Sequence, residues 1–351
     1  DAKAMIIHQV SFNNEILEYS YDDYKINIDL PKEFRKGEEF TIYIKYTARP
    51  EKVAQKGSAA ITSAKGLYFI NADGYDKNKP TQIWTQGETE ASSCWFPTID
   101  TPNQKTTQEI YITVPKRFVT LSNGKLVDQV VNGSNRTDYW KMDKKHAPYL
   151  FFMGVGEYEI IKDSYNNIPI DYYVEKKYAP YAKDIFGNTP EMMEFFSRIL
   201  GVAFPWNKYS QIVGRDYVSG AMENTTAVIH GEQAYQTPGQ LIDENIQENT
   251  IAHELFHHWF GNLVTSESWS NLTLNESFAN YSEYLWREYK YGQLDANMHL
   301  FEANQAYLNG QNEQKHLVRF TYDDKEDMFD AVSYNKGGTI LHMLRNYLGD
   351  S

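Results

Sequence analysis

Cysteine is almost absent from the chain: Cys94 is the only one in 351 residues. That excludes an internal disulfide framework and a cysteine-based zinc ribbon, and leaves histidine and carboxylate to hold any metal. A lone thiol of this kind reads as a buried structural residue. Long apolar runs are missing too. The best one, around Tyr149 to Val155, falls far short of the roughly 18 apolar residues of a membrane helix, so the chain reads as soluble. Positive charge is in deficit, with 34 Lys+Arg against 47 Asp+Glu and a net charge of −13. This argues against a nucleic-acid partner and suits neutral or cationic substrates. The chain opens Asp1-Ala2-Lys3-Ala4-Met5, without an initiator methionine or a charged-then-apolar leader. It therefore reads as a mature form or an excised fragment, with compartment and oligomeric state left open.

The length, with 41% hydrophobic residues, fits a globular chain with more than one core, and periodicity divides it. Residues 1–157 alternate apolar and polar positions in short runs, among them Tyr24 to Leu30, Phe40 to Tyr46, Glu109 to Val114 and Tyr149 to Val155. Asn123-Gly124 and Asn132-Gly133 supply turns, so an all-β saddle or sandwich is expected. A further strand is expected at Ile168 to Val174. Residues 158–351 turn to apolar spacings of three and four, with Thr189-Pro190 as N-cap and first helical residue of a helix to Leu200. Strands at Ser210 to Val213 and Thr226 to His230 interrupt the helical pattern. Further helices are expected over Ile242 to Phe260, Thr273 to Tyr289, Leu294 to Leu308 and Lys336 to Leu348. The fold class is α+β, with a β domain preceding a mainly helical one.

The most informative segment is His253-Glu254-Leu255-Phe256-His257. Histidines four apart on a helix face the same way, so both can reach one tetrahedral metal, and Glu254 between them sits where a general base is needed. The pattern points to a zinc-dependent peptide hydrolase. A third ligand is required, and Glu276 on a returning helix is the candidate. Glu283, seven residues further on the same face, either fixes the tautomer of a ligand imidazole or is solvated. His258 projects about 100° away round the helix and cannot share the metal; it reads as packing or as a residue that supports the ligands from behind. The sequons at Asn224 and Asn275 are treated as coincidental.

Beyond these residues the chain resembles the aminopeptidase N family of zinc metallopeptidases, the gluzincin aminopeptidases, whose relatives include leukotriene hydrolase. The resemblance rests on His253 to Thr265, on Leu274-Asn275-Glu276-Ser277-Phe278-Ala279, and on Gly220-Ala221-Met222-Glu223-Asn224. It rests also on Thr85-Gln86-Gly87-Glu88 and Ser333-Tyr334-Asn335-Lys336-Gly337. Ser277 stands where the family commonly has glycine, and Thr225-Thr226 departs from the usual continuation, which bears on side-chain preference at the first substrate position. The resemblance implies a thermolysin-like catalytic domain after the β domain, in a chain that looks truncated at both ends.

It also implies one Zn²⁺ per chain on His253, His257 and Glu276, with Glu254 as base and Tyr334 as donor to the developing oxyanion. Gly220 to Asn224 form the exopeptidase motif. Glu223, with Glu88, would pin the substrate's α-amine, and Gln86 would line the first-residue pocket. The expected substrates are peptides with a free N-terminus. Rivals are a thermolysin-like endopeptidase, which would lack a carboxylate block at the end of the cleft, and a non-catalytic peptide-binding member of the fold. An epoxide hydrolase activity is possible but nothing in these residues requires it.

Overall fold

The computed structural model describes residues 1–54, 57–310, 312 and 314–350. The first part of the chain is built from short antiparallel sheets. Met5–Phe12 pairs with Ile42–Ala48, Asn135–His146 lies between Thr106–Pro115 and Lys125–Asn132, and Met153–Gly156 lies between Gln82–Thr85 and Val119–Ser122. Gly124 and Gly133 both adopt positive φ, as the expected turns require.

A five-stranded mixed sheet follows. Glu159–Tyr165 runs antiparallel to Ile168–Val174, which is parallel to Tyr209–Gly214, itself parallel to Ala227–Gly231. The edge is the short antiparallel strand Ala221–Met222. Seven helices complete the described residues: α1 (Ala182–Phe186), α2 (Thr189–Leu200), α3 (Pro238–Asp243), α4 (Glu248–Phe256), α5 (Thr273–Tyr291), α6 (Gln293–Leu308) and α7 (Gly337–Leu348). A β-rich part is thus followed by a mainly helical part, the expected α+β class. Among the described residues no helix is long and apolar enough to cross a membrane.

Several element boundaries differ from expectation. The run Tyr24 to Leu30 forms only Ile26–Ile28, because the Asp22 carboxylate accepts the amides of Tyr24 and Lys25 and bends the chain there. Tyr149 to Val155 is a strand only from Met153. Pro148–Leu150 makes a 3-10 turn, since proline supplies no ladder donor. In α2 the flanking residue is Asn188, not Thr189, whose hydroxyl instead donates to the Phe186 carbonyl. The helix expected over Ile242 to Phe260 is broken. Asn245 accepts the Gln247 amide with its side chain and the Glu248 amide with its carbonyl, which restarts the chain as α4. At its far end α4 stops at Phe256, and Gly261 takes φ +125°.

The two parts share one apolar core. Tyr68, Trp84, Leu121, Tyr149 and Phe152 from the β-rich part pack with Ile212, Met222 and Ile229 of the mixed sheet. Apolar burial on this scale, at roughly 25 cal/mol per Å², sets the two parts against each other as one body. A second core packs α1, α2 and α4 on the other face of the mixed sheet, through Phe186, Met192, Phe196, Val228, Leu255 and Phe256.

Candidate active site

α4 presents His253, Glu254 and His257 beside the N-terminal turns of α5. His257 lies one residue past the end of α4 but keeps helical angles, φ −53° and ψ −24°, and its amide still bonds the His253 carbonyl at 3.2 Å. The one-turn separation of the two imidazoles therefore survives the end of the helix. Glu276, in the first turn of α5, places Oε2 3.2 Å from His253 Nε2 and 3.4 Å from His257 Nε2. The outer nitrogens are spoken for: His253 Nδ1–H donates to Glu283 Oε1 at 2.8 Å, and His257 Nδ1–H to the Phe260 carbonyl at 2.9 Å. Both Nε2 atoms are thereby turned toward Glu276. Glu283 is itself braced by His299, 3.3 Å away on α6.

This donor set fits a zinc ion. Ligand atoms about 2.0–2.1 Å from a tetrahedral metal lie roughly 3.3 Å apart, which is the spacing found. His258 belongs elsewhere, as its direction on the helix requires. Its Nδ1–H donates to the Glu254 carbonyl and its Nε2 accepts the Thr226 amide at 2.9 Å. That fixes a neutral ring, which burial holds down at about 3.

Glu88, Ala221, Glu223, His253, Glu254, His257, Glu276 and Tyr334 line one cavity of about 40 Å³, together with Ala60, Ile61, Ser219 and Phe329. The last four carry no chemistry that a sequence pattern would single out. The cavity shares Ala60 and Phe329 with an open cleft of about 700 Å³. Gln86, by contrast, is not on the cavity wall. It is fully buried, with its amide on Met222 Sδ and its carbonyl oxygen accepting from the Tyr217 hydroxyl. Met222 is a core residue, Asn224 is fully buried, and Gly220 accepts the Gly231 amide at the sheet edge. Glu283 stands behind His253, outside the cavity. Asn224 and Asn275 are both inaccessible, as the coincidental reading of their sequons requires.

The cavity is crowded with carboxylates. Ligand atoms of Glu88, Glu223 and Glu276 lie within 4.8 Å of one another, as do those of Glu223, Glu254 and His257. Glu88 Oε1, Glu223 Oε1 and Glu254 Oε2 are buried without a hydrogen-bond partner. Burial, and then the charges of Glu223 and Glu276, push the Glu88 carboxyl well above its usual range. Burial lifts Glu254 to about 8 against the pull of both histidines. Glu276 goes the other way: burial opposes its charge, but His257 and the hydrogen bonds from both imidazoles bring it to about 2. Such a cluster favours whatever brings positive charge into it.

At the departure Thr225-Thr226 neither residue lines the cavity. Thr226 sits at φ +65°, where a β-branched residue is strained. Its hydroxyl accepts the Gly124 amide at 2.8 Å and a proton of the Lys208 ammonium at 3.3 Å, while Lys208 also donates to the carbonyls of Thr226 and Ser122. Asn123 donates to the Thr225 carbonyl. The pair therefore pins the β-rich part to the mixed sheet and, through His258, to α4. Replacing Thr226 by valine keeps the strain and removes the acceptor for two buried donors, so a loss of about 2–4 kcal/mol is expected. The urea midpoint reads it; an unchanged midpoint would mean the pin carries no stability.

Residues 185–351 match the Peptidase family M1 domain, and residues 2–150 match the Peptidase M1 N-terminal domain. The chain belongs to peptidase family M1. Among M1 relatives, it is 29% identical over 298 residues to Aminopeptidase M1 of Arabidopsis thaliana, covering 81% of this chain and 33% of that protein. It is 33% identical over 270 residues to bovine (Bos taurus) glutamyl aminopeptidase, covering 72% of this chain and 28% of that one. The chain thus spans about a third of the length of these relatives. A solved M1 zinc metallopeptidase from Deinococcus radiodurans shares the fold with a TM-score of 0.76 at 20% identity, over 100% of this chain and 74% of that one.

Proposed function

We propose that the chain carries the catalytic site of a zinc aminopeptidase, hydrolysing the first peptide bond of peptides with a free α-amine. The observation that carries this reading is the pairing of a His253–His257–Glu276 donor set with buried carboxylate oxygens of Glu88 and Glu223 that have no hydrogen-bond partner, in the same small cavity. One group suits a divalent metal, and the other suits an ammonium. The aminopeptidase names of the relatives support the same reading.

His253, His257 and Glu276 would hold one Zn²⁺, which when bound polarises the scissile carbonyl and acidifies water. The chain's own residues supply the rest. Glu223 and Glu88 bind the α-ammonium and so set the register, leaving only the first peptide bond at the reacting centre. The edge strand Ala221–Met222 offers its backbone to an extended peptide, and the adjoining cleft gives the downstream residues room. Glu254 takes a proton from the attacking water and passes it to the departing amine. Tyr334, whose ring lies nearly parallel to that of His253 at 6.0 Å, donates its phenolic proton to the oxygen on which charge develops. Burial holds that phenol well above its usual range, so it stays protonated.

The test is mass spectrometry of a short free-amine peptide, with the protein as isolated, after chelation, and after Zn²⁺ is restored. Stepwise loss of single N-terminal residues that chelation abolishes and zinc restores is the expected result; internal cleavage would replace the reading with an endopeptidase. Zinc affinity should also fall with pH. Burial alone would lower His257, but Glu223 and Glu276 raise it to about 9. Below that pH a proton must leave before the metal binds, so affinity weakens by up to about tenfold per unit for each proton displaced. Titration calorimetry between pH 6 and 9 reads this, and a flat profile would remove His257 from the ligand set.

A further inference from the structure

Tyr334 lies on a segment with little intrinsic reason to hold still. Val332–Lys336 forms a π-helical turn ahead of α7, a wide turn that is rare outside functional sites and not favoured by local propensity. Its position depends on what grips it. From the outer side, Asp330 accepts the amides of Val332 at 3.0 Å and Ser333 at 3.1 Å, and is itself held by Arg319 at 2.7 Å. From the inner side there is Ser277, on α5 directly after Glu276. The Ser277 hydroxyl donates to the Ser333 carbonyl at 2.6 Å. Its single proton being used there, the Thr273 hydroxyl at 2.5 Å must be donating to it. Gly337 packs against the same side chain, and a Cβ there would overlap the Ser277 hydroxyl oxygen.

We propose that Ser277 is a positioning residue: its hydroxyl ties the helix that carries Glu276 to the turn that carries Tyr334, and so sets where the phenol stands relative to the metal ligands. This rests on the aminopeptidase reading above. A glycine, the residue expected at this position from the resemblance, offers no such tie. Ser277 is buried, does not line the cavity, and reaches the turn through the Ser333 carbonyl and its packing against Gly337. Since a misplacement on the order of 1 Å can cost about a hundredfold in rate, loosening the inner grip on the turn should be readily measured.

The experiment compares the full chain with Ser277→Ala, Ser277→Gly, Tyr334→Phe and the Ser277→Ala/Tyr334→Phe double variant. The expected result is a kcat lowered about tenfold in both Ser277 variants, with KM within about twofold and zinc content unchanged. In the Tyr334→Phe background Ser277→Ala should cost nothing further, because the group it positions has lost its proton donor. Calorimetric affinity for a free-amine phosphinic dipeptide analogue, whose tetrahedral oxygens mimic the charge that Tyr334 meets, should fall by the same factor and show the same non-additivity. An unchanged kcat in Ser277→Ala, or an equal loss with and without the Tyr334 hydroxyl, overturns the assignment. A wild-type chain that neither cleaves nor binds the analogue instead takes down the aminopeptidase reading, and this proposal with it.

Discussion

Glu254→Gln is expected to keep its zinc and its fold and to lose about 10³-fold in kcat, with KM little changed. The amide fills the same space, so α4, whose Leu255 and Phe256 are locked in the helical core, should not move. What is lost is the ability to hold a proton. Glu254 is suited to that task because burial raises it to about 8 while His253 and His257 on either side pull it back. A carboxylate poised near neutrality can take the proton of water and return it to a departing amine, which an amide cannot. Neither of its neighbours in the cavity is expected to substitute, since Glu276 is engaged by both imidazoles and Glu223 is proposed to bind the substrate's amine. Zinc content by atomic emission and kcat on a free-amine peptide check this together. A variant that retains zinc and near-normal turnover would remove Glu254 from the role of base.

The parts of this site that were legible in the sequence are those fixed by local geometry. One turn of helix brings His253 and His257 together whatever surrounds them, and a seven-residue spacing puts Glu283 on the face of Glu276. The break between α3 and α4 was not legible, because it is made by Asn245 accepting the amides of Gln247 and Glu248 in a local turn, which an asparagine inside a helical pattern does not announce. Nor was the cavity's roof. Ala60, Ile61 and Phe329 reach it from loops far apart in sequence, and apolar residues in loops carry no pattern. Gln86 has its motif present, and its side chain bonds Met222 and Tyr217 rather than lining the small cavity. The departures Thr226 and Ser277 were visible as departures only. Their sense appears once Gly124 and Ser333, distant in sequence, are seen as the groups their hydroxyls serve.

Acetylating the substrate's α-amine should abolish measurable cleavage, a loss of at least about a hundredfold in kcat/KM. The reason lies in what the amine meets. Glu88 and Glu223 are buried together, and each has an oxygen with no hydrogen-bond partner. Burial raises both carboxyls above their ordinary range. An arriving ammonium reverses this, and breaking a buried charge pair of this kind costs about 2–5 kcal/mol, or roughly 30-fold to several thousandfold. An acetyl group brings no charge and adds bulk to a cavity of about 40 Å³. Glu223→Gln separates the anchoring role from mere crowding. If Glu223 binds the amine, the variant raises KM for the free peptide by about tenfold or more and narrows the gap between free and acetylated copies, since the lost attraction is one that only the free amine had. If the gap stays as wide as in the wild type, crowding alone excludes the acetyl group and Glu223 is not the anchor. Internal cleavage of both copies at equal rates would mean that the carboxylates set no register at all.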